Sequence, residues 1–167
     1  MARKIPKRIL RILKNLILAF SIFLVGFVIY NIYFETRIYF HNRAELNDIE
    51  KVNKYSAETF RNFINEIEDK TDWKVSIISG YRSKQEQIQL KRNDPRNASS
   101  RKSRHVMGRA IDINLYKRVG FRRVWLKKVN SKREWRLSGV TIIAAKYNIL
   151  WGGSYRNYHD PVHFEIH

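Results

Sequence analysis

Residues 16–34 are nineteen consecutive positions without a charge, and they follow a stretch, 1–15, that carries Arg3, Lys4, Lys7, Arg8, Arg11 and Lys14 and no acid. No other feature constrains the chain as much. A helix rises about 1.5 Å per residue, so this run nearly crosses the apolar layer of a bilayer, and Ile12 and Leu13 lengthen it if Lys14 snorkels. Tyr30, Tyr33 and Phe34 fall where an interfacial aromatic belt would lie. The sequence therefore predicts one transmembrane signal-anchor helix over 16–34. The positive-inside bias keeps 1–15 in the cytoplasm and puts everything that follows on the extracytoplasmic side. A cleaved signal peptide is the nearest alternative, but no A-x-A-like site follows the run, which continues as YNIYFETRIYF. A buried core helix is the third reading, and it would not need so dense a basic flank.

Residues 35–43 read as a short stalk and 44–167 as one globular domain. Roughly 130 residues beyond the apolar run are enough to bury a core without metal or disulfide staples, so any metal would serve chemistry rather than folding. The chain has no cysteine, which excludes thiol catalysis, disulfides and cysteine metal sites but not export. Its formal net charge is +18, of which the first fifteen residues supply six. The rest makes the soluble part attractive to polyanions, whether nucleic acid, anionic lipid headgroups or anionic envelope polymers.

Within the soluble part, Leu46, Ile49, Val52, Phe60, Phe63, Ile64 and Ile67 recur at helical spacing over 44–69, with a break expected near Ser56. Strands are expected at 74–79, 110–115, 149–151 and 162–166, and helices at 84–90, 124–129 and 135–147. The polar, basic stretch 93–104 reads as a loop. Trp125 and Trp135 are expected in helix core. This order implies a compact α+β domain with a small sheet and flanking helices.

Three segments carry the chemistry: 79–83 (SGYRS), 103–112 (SRHVMGRAID) and 160–165 (DPVHFE). A catalytic zinc takes three protein ligands from His and Asp or Glu and keeps one position for water. His105, Asp112 and His163 supply such a set. Asp112 lies between Ile111 and Ile113, and His163 between Val162 and Phe164, so each points to the face opposite its apolar neighbours. That face is either a cleft or plain solvent. The chain has no HExxH motif.

SxHxxGxAxD at 103–112, WGG at 151–153 and DxxHFE at 160–165, with SGYRS upstream, resemble the D-alanyl-D-alanine carboxypeptidase/L-alanyl-D-glutamate endopeptidase family of zinc peptidases, most of all its endolysin-like branch. The resemblance runs from about Ser79 to Glu165. It implies a single Zn2+ on His105, Asp112 and His163, with Asp160 as general base and Arg82 on the substrate or on developing negative charge. Ser103, Gly108 and Ala110 match the motif's polar and small positions. The chain departs from the branch after Gly153: Ser154 and Tyr155 replace the usual acid and tryptophan, which bears on the substrate pocket and not on the ligands. Glu165 shares a strand face with His163 and reads as a support for it or as a partner for a basic side chain. Trp151 and Tyr155 read as cleft-lining, and His159 as an exposed loop residue or, in the alternative, as a supporting donor or proton shuttle beside the site.

The resemblance further implies hydrolysis of peptidoglycan stem peptides, with the L-alanyl-D-glutamate bond favoured and trimming of a terminal D-Ala as the alternative. Anionic membrane or cell-envelope polymers are expected partners of the basic surface. A non-catalytic module for an anionic polymer is the rival of another class. Nucleic acid is not expected, because no nucleic-acid motif is present and the topology places the domain away from cytoplasmic DNA.

Overall fold

The apolar run and the amphipathic segment behind it form helices, as their patterning requires, but their boundaries differ from expectation. The computed structural model describes residues 6–156 and 158–167; Arg3 and Lys4 of the basic flank lie outside them. The chain divides into two units, Met1–Phe40 and His41–His167. Helix α1 spans Lys7–Val52. Its most apolar eighteen residues have a mean hydropathy of 2.4, and it is long and apolar enough to cross a membrane. Such a segment near an N-terminus serves either as an anchor or as a signal sequence.

Residues 35–43, expected as a stalk, are helical throughout. From His41 onward the helix belongs to the second unit. The Asn42 side chain donates to Val75 O (2.8 Å) and accepts from Ile77 N (2.8 Å), and the ring of His41 bonds to Ile77 O (3.0 Å). The expected break near Ser56 falls at Asn53 instead. Asn53 is extended (φ −149, ψ 91) and caps α2 (Lys54–Lys70) by accepting from Ser56 N. Helix α2 buries Phe60, Phe63, Ile64 and Ile67, the face its spacing predicts.

The sheet contains β1 (Lys74–Ser79), β2 (Ala110–Val119), β3 (Arg122–Leu126), β4 (Ile149–Trp151) and β5 (His163–Ile166) in the order β1-β2-β5-β4, with β3 on the far end of β2. All four pairings are antiparallel. One layer of side chains, including Phe63, Ile111, Ile113, Trp135 and Phe164, fills the space between sheet and helices. Phe164 packs its ring against Phe63 (centroids 5.3 Å) and Trp135 (6.2 Å). The fold is α+β, with a small sheet and flanking helices.

Helix α3 (Lys84–Asn93) starts at a capping box formed by Ser83 and Glu86. Two expectations fail downstream. The helix expected at 124–129 is replaced by β3, because Gly120 (φ +60) closes a two-residue turn that returns the chain along β2. Trp125 accordingly stacks on Tyr116 across the ribbon and not in a helix core. The single helix expected over 135–147 is two, α4 (Lys132–Leu137) and α5 (Val140–Lys146), separated at Gly139, whose φ of +82 a helix interior does not allow.

Candidate active site

Sheet register builds half of the site. Asp112 sits at a crossing point of β2, opposite Ser79 of β1 on one side and His163 of β5 on the other. His105 comes from the turn before β2. Its Nε2 lies 3.3 Å from His163 Nδ1 and 3.3 Å from Asp112 Oδ1, and His163 Nδ1 lies 2.8 Å from the same oxygen. Zinc bonds of about 2.0–2.2 Å at tetrahedral angles set ligand atoms roughly 3.3–3.5 Å apart, so the three donors need only small adjustments to hold one ion. Among the described residues they form the one His/Asp/Glu group of three that converges in this way.

Each of the three donors has a partner that fixes which of its atoms faces the shared centre. His105 is buried and its Nδ1–H donates to Gly80 O (2.7 Å), which leaves Nε2 for the metal. The Gly80 amide is in turn held by Glu45 Oε2 (2.7 Å). His163 is set the other way round: Nε2–H donates to Glu165 Oε2 (3.2 Å), leaving Nδ1. Asp112 presents Oδ1 to the two imidazoles while Oδ2 accepts from Arg82 Nη2 (2.7 Å). Arg82 Nε also donates to Ser79 Oγ (2.9 Å). The role read for Glu165 as a support for His163 thus has a matching contact.

The electrostatics follow from this geometry. Burial alone would raise the Asp112 carboxyl, but the hydrogen bonds and charges of His105 and His163 outweigh it and hold the group well below the usual carboxylate range. Burial would likewise lower His163, yet its bonds to Asp112 and Glu165 lift it to about 9 without metal. Burial, with Glu165 close by, pushes the Tyr155 phenol upward.

A cleft of about 480 Å3 opens over the three donors, and Arg82, Tyr155 and Asp160 line it. Asp160 Oδ1 lies 3.1 Å from Lys128 Nζ, a partner with no sequence signal because it comes from the turn that follows β3. Lys128 also reaches Tyr158 Oη (3.3 Å). Gln87, buried in α3, accepts from Ser103 Oγ (3.1 Å) and donates to Ala98 O (2.9 Å), which fastens the loop before His105. His159 is exposed, and its Nε2–H is shared between Lys128 O and Asn130 O (3.2 Å each).

Tyr155 lines the cleft as expected, but Trp151 does not. Trp151 is buried and donates Nε1–H to Pro161 O (2.8 Å), so it holds the Asp160-to-His163 turn from behind. Gly152 backs the same turn: a Cβ there would lie 2.6 Å from Asp160 O and 2.9 Å from His163 Cβ. The tryptophan and first glycine of WGG therefore position the DPVH segment.

Comparison with known proteins agrees with this arrangement. Residues 96–166 match the family model for D-alanyl-D-alanine carboxypeptidase. The fold is similar to the L-Ala D-Glu endopeptidase ChiX of Serratia marcescens, with a TM-score of 0.51 and 20% identity over 72% of this chain and 84% of that one. No curated protein matches the sequence significantly. The segment that matches this family model contains all three members of the His-Asp-His cluster, so the sequence likeness and the site coincide.

Proposed function

We propose that this protein is a membrane-anchored zinc peptidase that cuts the L-alanyl-D-glutamate bond of peptidoglycan stem peptides. The observation that carries the proposal is the convergence of His105 Nε2, Asp112 Oδ1 and His163 Nδ1 at the floor of a cleft lined by a further carboxylate, Asp160, and a guanidinium, Arg82. Zinc held there supplies Lewis-acid polarisation of a water and of a peptide carbonyl. Asp160 accepts a proton from the attacking water and delivers it to the departing amine. Lys128 pairs with Asp160 before substrate arrives. Arg82 orients Asp112 through Nη2 and turns its remaining donors toward a substrate carboxylate, for which a planar fork is suited.

Cleft chemistry supports an anionic substrate: Arg82, Arg96, Lys102, Arg104 and Lys128 line it against Asp112, Asp160 and Glu165. The bond assignment draws on the L-Ala D-Glu endopeptidase activity of the Serratia protein. The description of the matching family favours a second reading, removal of a terminal D-Ala. In the anchored arrangement residues 16–34 span the bilayer, 1–15 stay in the cytoplasm and the domain 44–167 faces the wall.

The test is digestion of purified peptidoglycan by the zinc-loaded protein in detergent, with products read by mass spectrometry. Peptides beginning at D-Glu are expected, with L-Ala left on the glycan. Loss of a terminal D-Ala alone would replace the endopeptidase by the carboxypeptidase. No cleavage of any wall type by folded, zinc-loaded protein would overturn both.

A further inference from the structure

Of the three donors, only His105 has no place in the sheet. It sits in the turn 104–108, and its ring is oriented by the bond from Nδ1–H to Gly80 O (2.7 Å). The aim of that ring therefore depends on what holds Gly80. Strand β1 ends at Ser79, and its register with β2 has already shifted between Ile77 and Ser79. Gly80 lies past the last registered pair, Ser79↔Asp112, so the sheet ladder does not set the direction of its carbonyl.

The last turns of α1 set it instead. The amide of Gly80 donates to Glu45 Oε2 (2.7 Å). A Cβ on Gly80 would lie 3.0 Å from that oxygen, 3.1 Å from Ile49 Cδ1 and 3.3 Å from Glu45 O. The helix thus lies directly against the Gly80 backbone while Glu45 draws the amide toward it. Ile49 is fully buried in the core, so the surface on which Gly80 rests is itself fixed. Glycine has the widest choice of backbone dihedrals, and nothing intrinsic to the residue keeps its carbonyl aimed at His105. The bond to Glu45 supplies that restraint.

The other side of the turn rests on the same stretch of chain. Gly108 has φ +62, and a Cβ there would lie 3.3 Å from both Val52 Cβ and Asn53 Cβ. Its amide closes the turn on His105 O (3.1 Å). Glu45, Ile49 and Val52 are spaced i, i+4 and i+7, which puts them on one helix face. That face seats Gly80, which orients the His105 ring, and Gly108, which closes the His105 turn.

We propose that Glu45 is a positioning residue for the metal centre: by holding the Gly80 backbone it aims Gly80 O, and through that carbonyl it aims His105 Nε2 at the ion. The proposal rests on the reading of His105, Asp112 and His163 as zinc ligands. Its consequence is that the helix continuing from the apolar run helps to build the site, and does not merely lead into the domain. Removing the partner of a metal-binding imidazole weakens the metal by about 10–100-fold, and Glu45 acts one residue further out, so the lower end of that range applies.

The test uses full-length protein in detergent. Zinc affinity is read by competition with a chromophoric chelator, and coordination geometry by the visible absorption of the cobalt-loaded protein. Glu45→Ala should weaken zinc about tenfold and alter the cobalt bands. Glu45→Gln keeps an acceptor oxygen at the same reach and should return both close to wild type. Glu45→Asp keeps the carboxylate but is one methylene shorter; it should weaken zinc as the alanine does, and it carries the test if the alanine variant does not fold. Asn42→Ala is the control, because it deletes two bonds from the same helix to β1, at Val75 O and Ile77 N, within the registered part of the strand. It should lower the Tm of the metal-free protein at least as much as Glu45→Ala and leave zinc affinity and the cobalt spectrum unchanged. Wild-type zinc affinity in Glu45→Ala and Glu45→Asp overturns the proposal alone. So does a loss that Asn42→Ala shares, which would be the effect of undocking the helix, or a loss that Glu45→Gln does not restore. A wild-type protein that binds no zinc overturns the ligand reading and the proposal with it. Which wall bond is cut bears on neither.

Discussion

Gly152→Ala tests whether the glycine of WGG serves the site through the turn it backs. The added Cβ would meet Asp160 O at 2.6 Å, His163 Cβ at 2.9 Å and His163 O at 3.2 Å. Carbon contacts are comfortable from about 3.5 Å, so the neighbours must give by roughly 0.6–0.9 Å. None of these atoms is the far end of a flexible side chain. They belong to the segment that carries both the proposed general base and a proposed ligand, and Trp151 Nε1 pins the same segment at Pro161 O. Overpacking of this kind destabilises by about 1–3 kcal/mol, a fall in Tm of roughly 4–12 °C for a domain this size. A displacement approaching 1 Å in a reacting group lowers the rate by about 10²-fold. The variant should therefore lose about two orders of magnitude in kcat/KM on wall fragments while still binding zinc, with weakened affinity. Calorimetry, zinc titration and peptide release measure the three effects. Ser154→Ala, which removes only a bond from Ser154 Oγ to Trp151 O, is the control and should stay near wild type in rate. Wild-type kcat/KM in Gly152→Ala would refute the positioning argument, because the clash cannot be absorbed without moving Asp160 or His163.

Replacement of His105, Asp112 or His163 by Ala should abolish both stoichiometric zinc and activity, whereas Asp160→Asn should keep zinc and lose turnover; zinc content by elemental analysis separates the two classes. Glu165→Gln keeps the volume but weakens the anchor on His163 Nε2, and zinc affinity should fall by about 10–100-fold in a competition titration. The pH dependence has a definite sign. Without metal, His163 is raised to about 9, so its interaction with Asp112 and Glu165 is fully present below the ordinary histidine value and is lost as pH rises through about 9. Zinc needs the neutral imidazole, so the rise in Tm on adding zinc should grow between pH 6.5 and 9; a constant increment would show that His163 is not protonated in the metal-free site.

The elements that the sequence revealed were those with a local cause. Helix α2 and strands β1, β2, β4 and β5 follow from periodicity and from bounding glycines, and the ligand set follows from motif order. The misses have equally local causes. The helix expected at 124–129 overlooked Gly120, whose two-residue turn gives the next strand a partner that its own propensity does not reveal. The long helix over 135–147 overlooked Gly139 as a break. Trp151 looked like a cleft aromatic because composition cannot say which side of a turn a side chain supports. Lys128 was invisible for a different reason: its contact with Asp160 joins two loops that no pattern relates.

The three proposed ligands should not depend on the metal equally. Asp112 and His163 are registered partners in adjacent strands, so the sheet sets their spacing before any ion binds. His105 lies outside the sheet in a turn. It is held there by one bond from its ring to Gly80 O, by the amide of Arg82 donating to His105 O (3.4 Å) and by the local bonds of Met107 N to Arg104 O and Gly108 N to His105 O. An ion that joins the turn to the sheet should stiffen the turn far more than the strands. Amide exchange should therefore slow on zinc addition at Met107 and Gly108, while Ile113, whose amide bonds Val162 O between two elements already locked, should change little. Hydrogen-exchange mass spectrometry on overlapping peptides across 103–116 resolves the two. Equal slowing across both segments would mean that the strands themselves are unformed without metal, and that zinc contributes to folding here as well as to chemistry.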